Sequence, residues 1–306
     1  MNTLNIHLFR LNGSHSGRSS QNPDLFFKGV LWAAALVVPL ICAAMVLNLI
    51  TDSALAFGEF GIFKFIFSSD WSYTQGRESY GALPFIMGTL ESTFLALMFC
   101  IPFSLTVALF VGEYYKGRKI AVVFGTITDL LAGIPSIIYG LWGFYVLRPI
   151  VVALGLSDQG SCILTASLVL AVMIVPYAAS LSAEFIKMVP SELKEAAYSL
   201  GATRAEVLRT VVFPSASSGI FSAFILAIGR ALGETMTVTM LIGNTNQLPL
   251  SLLGTGNTMA SIIANQFGEA DGLKLSALFA IALILFAITA LINLIGKILI
   301  HRAQTK

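Results

Sequence analysis

The chain has 306 residues, of which 56% are hydrophobic and 11% are charged, and its mean hydropathy is +0.84. Soluble domains carry about 25% charged residues, so this composition excludes an ordinary soluble protein and predicts a membrane protein. The formal net charge is +2, and no dense basic patch interleaved with aromatic residues indicates nucleic acid binding.

The residue types that usually carry catalytic or metal chemistry are few. The spacing of the cysteines fits no metal site, and the histidines all lie near the termini. No G-x4-G-K-[S/T] loop is present for nucleotide binding. We therefore expect a non-enzymatic chain without catalytic residues, metal or cofactor of its own. The residues in question are Cys42, Cys100, Cys162, His7, His15 and His301.

The apolar pattern predicts an all-α, polytopic membrane protein with six transmembrane helices. A spanning helix needs roughly 20 apolar residues. The runs of sufficient length are about 29–50, 84–111, 120–147, 161–183, 217–243 and 275–299. The chain then divides into a polar tail at 1–27, a first transmembrane helix with an external loop at 28–83, and a core at 84–300.

The placement of positive charge predicts the orientation. Between the predicted spans, 13 Lys and Arg residues fall on one side and four on the other. Cytoplasmic loops carry the excess of Lys and Arg, so both termini are expected in the cytoplasm of a multi-pass protein. The 13 are Arg10, Arg18, Lys28, Lys116, Arg118, Lys119, Lys187, Lys194, Arg204, Arg209, Lys297, Arg302 and Lys306.

Proline interrupts three of the six spans. Pro102 lies in the second, Pro135 follows Gly133 in the third, and Pro176 lies in the fourth. Proline removes a backbone hydrogen bond, so these spans are expected to bend, as helices around a transport path often do. In the external loop, Phe57, Phe60, Phe63 and Phe67 are spaced as one helical face. That face predicts either an interfacial helix or a docking surface.

The loop at 190–214 has strong local signals. Ser191 is predicted to cap a helix that begins at Glu192, and Gly201 to end it in the left-handed conformation. Thr203 and Glu206 form a capping-box pattern for a second helix, which Pro214 is expected to stop. Leu193, Ala196, Ala197 and Leu200 recur at helical spacing, so the first helix is expected to dock an apolar face in a groove.

This loop resembles the EAA loop of ABC importer permeases. The matching residues are Glu195, Ala196 and Ala197, then Gly201, then Val211, Phe213 and Pro214. In that family the loop forms the coupling helix, which sits in a cleft of the ATPase subunit. The resemblance thus implies that Glu195, Ala196, Ala197, Gly201 and Pro214 take part in coupling to an ATPase.

Further segments resemble the PstC-type permeases of phosphate ABC importers. They are residues 80–114, 130–144, 228–245 and 264–279. The resemblance implies a type I ABC importer permease fold in the inner membrane. It also implies four kinds of partner: a homologous second permease, two ATPase subunits that bind ATP and Mg, a phosphate-binding protein outside, and phosphate itself. Glu91 stands where that family would be expected to have a neutral residue.

Arg230 and Glu234 form the most unusual feature of the spans. Arg230 falls at the middle of the predicted fifth helix, where an arginine costs about 2.5–3.5 kcal/mol on insertion scales. Glu234 follows at i+4 on the same predicted face, and Thr237 continues it. Either the pair only fixes helix packing, or it lines a phosphate path in which Arg binds the anion and Glu weakens the hold.

Two further residues are candidates for the substrate path. Asp129 lies on the third predicted span and could pair with Arg230 or with a partner permease. An aspartate in a wet cavity without a transport role is the alternative. Ser136, just after Pro135, could line the path with its hydroxyl group.

Two other functions fit the sequence. The chain could be a permease for another tetrahedral oxyanion, molybdate or sulfate, because such a permease shares the fold and the EAA loop. It could also be a membrane sensor of phosphate status that transports nothing. Competition of labelled phosphate uptake by sulfate and molybdate tests the first alternative. ATP-dependent uptake in reconstituted vesicles tests the second.

Overall fold

The computed structural model describes residues 21–73 and 78–304, and the side chains of residues 26–73 and 78–301. These residues form thirteen α-helices and one two-stranded antiparallel ribbon. The helices are α1 (Gln21–Phe60), α2 (Ile62–Phe67), α3 (Leu83–Leu109), α4 (Lys119–Ala132), α5 (Ser136–Trp142), α6 (Arg148–Ala153), α7 (Ile163–Lys187), α8 (Ser191–Ser199), α9 (Arg204–Val207), α10 (Phe213–Leu232), α11 (Met236–Thr239), α12 (Met259–Gln266) and α13 (Gly272–Gln304). The strands are β1 (Trp71–Ser72) and β2 (Ser79–Tyr80).

The prediction of an all-α membrane protein with six spans is confirmed. Six helical segments of the described chain are long and apolar enough to cross a membrane. They are Phe26–Phe60, Leu83–Tyr114, Ser136–Ala153, Ile163–Lys187, Arg204–Leu232 and Gly272–His301. Within residues 26–48 most side chains are apolar and exposed, as suits a helix surrounded by hydrocarbon. The predicted polar tail lies outside the described residues as far as residue 20.

The predicted third span is two helices rather than one. Helix α4 ends at Ala132, and α5 begins at Ser136, after Pro135 in an extended conformation. A proline disfavours helical backbone at the residue before it, and Gly133 adds conformational freedom. The helices α3 and α7, by contrast, continue through Pro102 and Pro176.

The predicted fifth span also ends earlier than expected. Helix α10 stops at Leu232, and only the single turn of α11 follows before the non-helical segment 240–258. The apolar composition of 233–243 suggested a continuous helix, yet Gly233 and Glu234 interrupt it. Irregular backbone at membrane depth occurs where it is buried in protein or lines a cavity.

The core centres on α7, which packs along α3 and α10. Buried side chains from all three helices form one apolar cluster, which includes Cys100, Val169, Met173 and Ala227. Helices α7 and α10 approach closely at Gly219, where a Cβ atom would lie only 2.1 Å from the Phe185 ring. Small residues allow such close helix contacts in membranes.

The predicted face of four phenylalanines is divided between two helices. Gly61, with φ +75°, separates α1 from α2. Phe57 and Phe60 pack inward, against Phe65 and Tyr80 respectively. Phe63 and Phe67 remain exposed. The four residues therefore do not form one interfacial surface.

Three π-helical turns extend α-helices: Phe110–Tyr114 after α3, Gly143–Leu147 after α5, and Leu208–Val212 between α9 and α10. The first and third lie at one end of the bundle, beside residues 188–203. We call this the loop end. The opposite end, which carries the ribbon and parts of segment 240–258, is called the ribbon end.

Candidate functional site

Arg230 lies in the last turn of α10, and its guanidinium is at mid-depth in the bundle. Its Cζ is 5.4 Å from the centroid of the Tyr177 ring. Tyr177 is near the middle of the 25-residue helix α7. The expectation of a charge at the midpoint of a helix is wrong, because α10 ends two residues later. A cation in the last turn is favoured by the helix dipole, and it lies over an aromatic face.

Glu234 does not pair with Arg230. Because it follows the end of α10, it is not one helical turn beyond Arg230 on a shared face. Its Oε1 instead accepts a hydrogen bond of 3.2 Å from the Thr237 backbone N–H, at the start of α11. Among the described side chains, Arg230 makes no ion pair and no hydrogen bond. The N–H groups of the guanidinium are therefore available to a ligand.

Thr237 joins the two helix breaks. Its side chain is fully buried, and its Oγ1 donates a 2.8 Å hydrogen bond to the Ser136 carbonyl oxygen. Ser136 is the first residue of α5, so the break between α4 and α5 meets the break between α10 and α11. The Met173 sulfur, also near the middle of α7, lies 3.8 Å from the same hydroxyl. Three of the predicted path residues, Arg230, Thr237 and Ser136, are therefore placed around the middle of α7.

Asp129 forms no ion pair with Arg230. Its Oδ1 accepts a 2.6 Å hydrogen bond from Ser180 Oγ on α7. Ser180 is one helical turn from Tyr177, so Asp129 and Arg230 contact neighbouring positions of the same helix. The carboxylate is exposed and borders a cavity of about 20 Å³ between α3, α4 and α7.

The sequence did not single out Tyr177 and Ser180. Tyrosine and serine are common in apolar spans, and nothing local shows which helix they face. The position of Tyr177 directly after Pro176 was the only available signal.

The loop at 188–203 is an ordered elbow. Helix α8 ends in a Schellman motif, in which the Ala202 N–H donates to the Ala197 carbonyl and the Gly201 N–H to the Tyr198 carbonyl. Gly201 has φ +84°, as predicted. The capping box of Thr203 and Glu206 is also confirmed.

Two local predictions for this loop are wrong. Ser191 is the first residue of α8 rather than its cap, because Pro190 occupies the cap position and makes no side-chain hydrogen bond. Pro214 does not stop a helix. It is the second residue of α10, just after the π-helical turn Leu208–Val212, and it lies inside a helical segment that is continuous from residue 204 to residue 232.

The capping box connects the start of α9 to its first turn. The Thr203 backbone N–H and hydroxyl donate hydrogen bonds of 2.7 and 2.8 Å to Glu206 Oε2. The Glu206 N–H donates back to the Thr203 hydroxyl oxygen.

Helix α8 presents apolar side chains outward. Leu193 and Tyr198 are exposed, and Leu200 is 89% exposed. Glu195 and Ala196 are exposed as well, while Ala197 packs against the apolar cluster at the loop end. A short helix with an exposed apolar face is suited to a groove on another protein.

Lys194 is the buried exception on α8, at 8% exposure. It forms an ion pair with Glu113, in the π-helical turn after α3. Arg204, at the start of α9, donates a 2.9 Å hydrogen bond to the Tyr114 carbonyl and lies over the Tyr114 ring. The sequence showed none of these contacts, because the partners are 81 and 90 residues apart.

Solved structures with a similar fold are ABC importers. The chain matches the MetNI methionine ABC transporter in inward-facing conformations with a TM-score of 0.57 and 21% identity, covering 71% of this chain and 93% of that chain. It matches the bacterial alginate ABC transporter in complex with an alginate pentasaccharide-bound periplasmic protein with a TM-score of 0.63 and 16% identity, covering 90% and 94%. The fold is that of a type I ABC importer permease.

Sequence relatives give the family. Residues 102–305 match the model of the binding-protein-dependent transport system inner membrane component. The phosphate transport system permease protein PstC of Pasteurella multocida is 40% identical, over 92% of this chain and 93% of the relative. A probable PstC of Methanocaldococcus jannaschii is 35% identical, over 87% and 90%. The chain belongs to this family of transport system inner membrane components, among its PstC permeases.

Proposed function

We propose that the chain is the permease subunit of an ATP-driven importer of inorganic phosphate. The observation that carries the proposal is the meeting of two helix breaks at mid-depth, beside a guanidinium that has no acidic partner among the described residues. Broken helices near the midplane form the substrate sites of many transporters. Phosphate as the solute is supported by the names of the PstC relatives.

Arg230 is the residue that would bind the anion. Guanidinium presents donors in a planar fork that suits phosphate oxygens. Among the described residues no carboxylate pairs with Arg230, whereas the Thr237 hydroxyl is engaged with the Ser136 backbone carbonyl. In this proposal Arg230 makes the direct contact, and Thr237 and Ser136 hold the two breaks together. Asp129 and Glu234, which accept hydrogen bonds from the Ser180 hydroxyl and the Thr237 N–H, stay candidate lining residues of the path without a contact to Arg230.

The EAA loop is proposed to bind the ATPase. The exposed apolar side chains of α8, with Glu195 beside them, form the surface that the ATPase cleft would cover. ATP and Mg would be bound by two separate ATPase subunits, while this chain carries no catalytic residue. A homologous second permease would complete the path, and an extracytoplasmic binding protein would deliver phosphate at the ribbon end. Both termini and the loop end would then be cytoplasmic.

The test is phosphate uptake by the complete importer, reconstituted in proteoliposomes with ATP inside the vesicles at the ATPase side. Arg230→Gln removes the charge and keeps a similar length. We expect uptake to fall by at least about tenfold, since a charge-assisted contact with the anion is lost. Assembly of the four membrane-associated subunits should be unchanged, as judged by co-purification.

Lys297→Gln provides the matched control, because Lys297 is an exposed cation on α13. Its uptake should equal that of the unmodified importer. Normal uptake by assembled Arg230→Gln would contradict the proposed role of Arg230. Inhibition of labelled phosphate uptake by equimolar sulfate or molybdate would show that the importer carries another oxyanion.

A further inference from the structure

The end of α3 is attached to the EAA loop through a shielded ion pair. Glu113 and Lys194 lie 81 residues apart, and their side chains are only 12% and 11% exposed. The other ion pair among the described residues, Glu184 with Lys187, is 64% and 36% exposed and joins neighbouring turns of one helix. Removing one member of a shielded pair leaves an uncompensated charge, whereas an exposed pair contributes little.

A second contact acts between the same two elements. Arg204, which begins α9 within the EAA loop, donates to the Tyr114 carbonyl, and its Cζ lies 4.0 Å from the Tyr114 ring centroid. In addition, Lys116 donates a 2.7 Å hydrogen bond to the Lys187 carbonyl, at the end of α7. Residues 110–116 therefore contact the chain before α8, at Lys187, and after α8, at Arg204.

Glu113 lies in a π-helical turn, and a similar turn, Leu208–Val212, lies in the second half of the EAA loop. Such turns are frequent at functional positions. Helix α3 packs along α7, whose middle carries Tyr177, and both contribute to the central apolar cluster. A displacement of α3 would thus reach the surroundings of Arg230 by a route separate from α10.

We propose that the Glu113–Lys194 pair makes the end of α3 move together with α8, so that ATPase motion reaches the substrate path through α3 as well as through α10. This inference rests on the proposed function. Glu113 and Lys194 act as positioning residues, since neither contacts the substrate path.

The first test measures the number of phosphate ions imported per ATP hydrolysed. In Glu113→Gln and in Lys194→Met, hydrolysis should continue while the ratio falls about fivefold to tenfold, the usual size of a coupling between sites. Glu184→Gln breaks the exposed pair and should keep the wild-type ratio. Unchanged ratios in both single variants would overturn the proposal.

The double variant Glu113→Lys with Lys194→Glu keeps an ion pair but exchanges its two members. It shows whether coupling needs the ion pair itself or these particular side chains at these positions. A cation at the end of α3 and an anion in the first half of α8 suit the two helix dipoles. The exchange should therefore restore most of the ratio. An exchanged variant that remains as uncoupled as the single variants would count against the pair.

A distance measurement tests the same inference without reference to the transported solute. Spin labels at Ser199→Cys on α8 and Phe103→Cys on α3 occupy exposed positions. The background carries Cys42→Ala, Cys100→Ala and Cys162→Ser. Serine is chosen because the Cys162 sulfur accepts a hydrogen bond from the Thr165 N–H.

In the assembled importer, the label distance should be the same in the nucleotide-free and ATP-trapped states, because the two elements move together. A distance that changes between these states in the unmodified pair would overturn the inference, whatever the variants do. This result is independent of phosphate uptake, so failure of the proposed solute and failure of the proposed link can be told apart.

Discussion

Thr237 shows how one hydroxyl can connect two helix breaks. It is fully buried, and it donates a hydrogen bond to the carbonyl oxygen of Ser136, the first residue of α5. A typical intramolecular hydrogen bond contributes about 0.5–1.5 kcal/mol of net stability. The hydroxyl thus holds the two breaks together next to Arg230.

Thr237→Val keeps the shape of the side chain and removes the donor. We expect the assembled importer to lose about 0.5–1.5 kcal/mol of stability, because the hydrogen bond between the two breaks is lost. Thermal inactivation of the detergent-solubilised importer measures the change. Thr235→Val is the control, since the Thr235 hydroxyl only makes a local 3.2 Å contact with the Gly233 carbonyl. Equal stability of the two variants would contradict this account.

The sequence located Arg230 because a charge inside an apolar run is costly and therefore visible. The partners of that charge could not be predicted. Glu234 was expected to pair with Arg230 on the assumption of a continuous helix, and the break at Gly233 removes that geometry. Tyr177 and Ser180 approach Arg230 and Asp129 from another helix, and packing between helices has no local signature in a single sequence.

Among the elements, the EAA loop was the most predictable. Its left-handed glycine and its capping box depend on residues three to six positions apart, so their signals are local. The breaks after Ala132 and Leu232 were predicted only in part. Pro135 indicated a bend in the third span, whereas the apolar residues after Gly233 concealed the end of α10. Pro214 predicts the end of a helix, but a proline inside a helical segment can bend the helix without ending it.

Gly201→Ala tests the elbow. No atom lies within 4 Å of the added Cβ, so the cost is that of the left-handed backbone alone, about 1–2 kcal/mol. We expect α8 to be held less firmly and the stimulation of ATP hydrolysis by the loaded binding protein to decrease. Stimulated hydrolysis by the reconstituted importer measures this effect.

Gly268→Ala is the matched control, because its Cβ would also meet no atom within 4 Å and its φ is not positive. Stimulation in this variant should be unchanged. If Gly201→Ala behaved like Gly268→Ala, the left-handed turn would have no part in coupling.

For the whole molecule, the six spans and the distribution of Lys and Arg predict one orientation in the membrane. The number of spans is confirmed, since composition and length alone decide it. Orientation stays a prediction. The predicted cytoplasmic positions that the structure describes at the loop end, such as Lys116 and Arg204, do lie together.

Single cysteines at the two ends test this orientation, in a background with Cys42→Ala, Cys100→Ala and Cys162→Ser. Ser199 is exposed at the loop end and Ser69 is exposed near the ribbon. In intact spheroplasts, a membrane-impermeant maleimide should label Ser69→Cys and leave Ser199→Cys unlabelled until the membrane is opened. Labelling of Ser199→Cys in intact spheroplasts would reverse the proposed orientation.

The continuous helical segment Arg204–Leu232 has a consequence for how the length of this chain can change. In a helix, one inserted or deleted residue turns everything beyond it by about 100° and shifts it by about 1.5 Å. Such a change between Thr203 and Arg230 would rotate the guanidinium away from Tyr177 while the loop stayed in place. Substitutions along this stretch can be tolerated. Its number of residues is fixed, because the loop lies at one end and Arg230 must lie beside Tyr177 at the other.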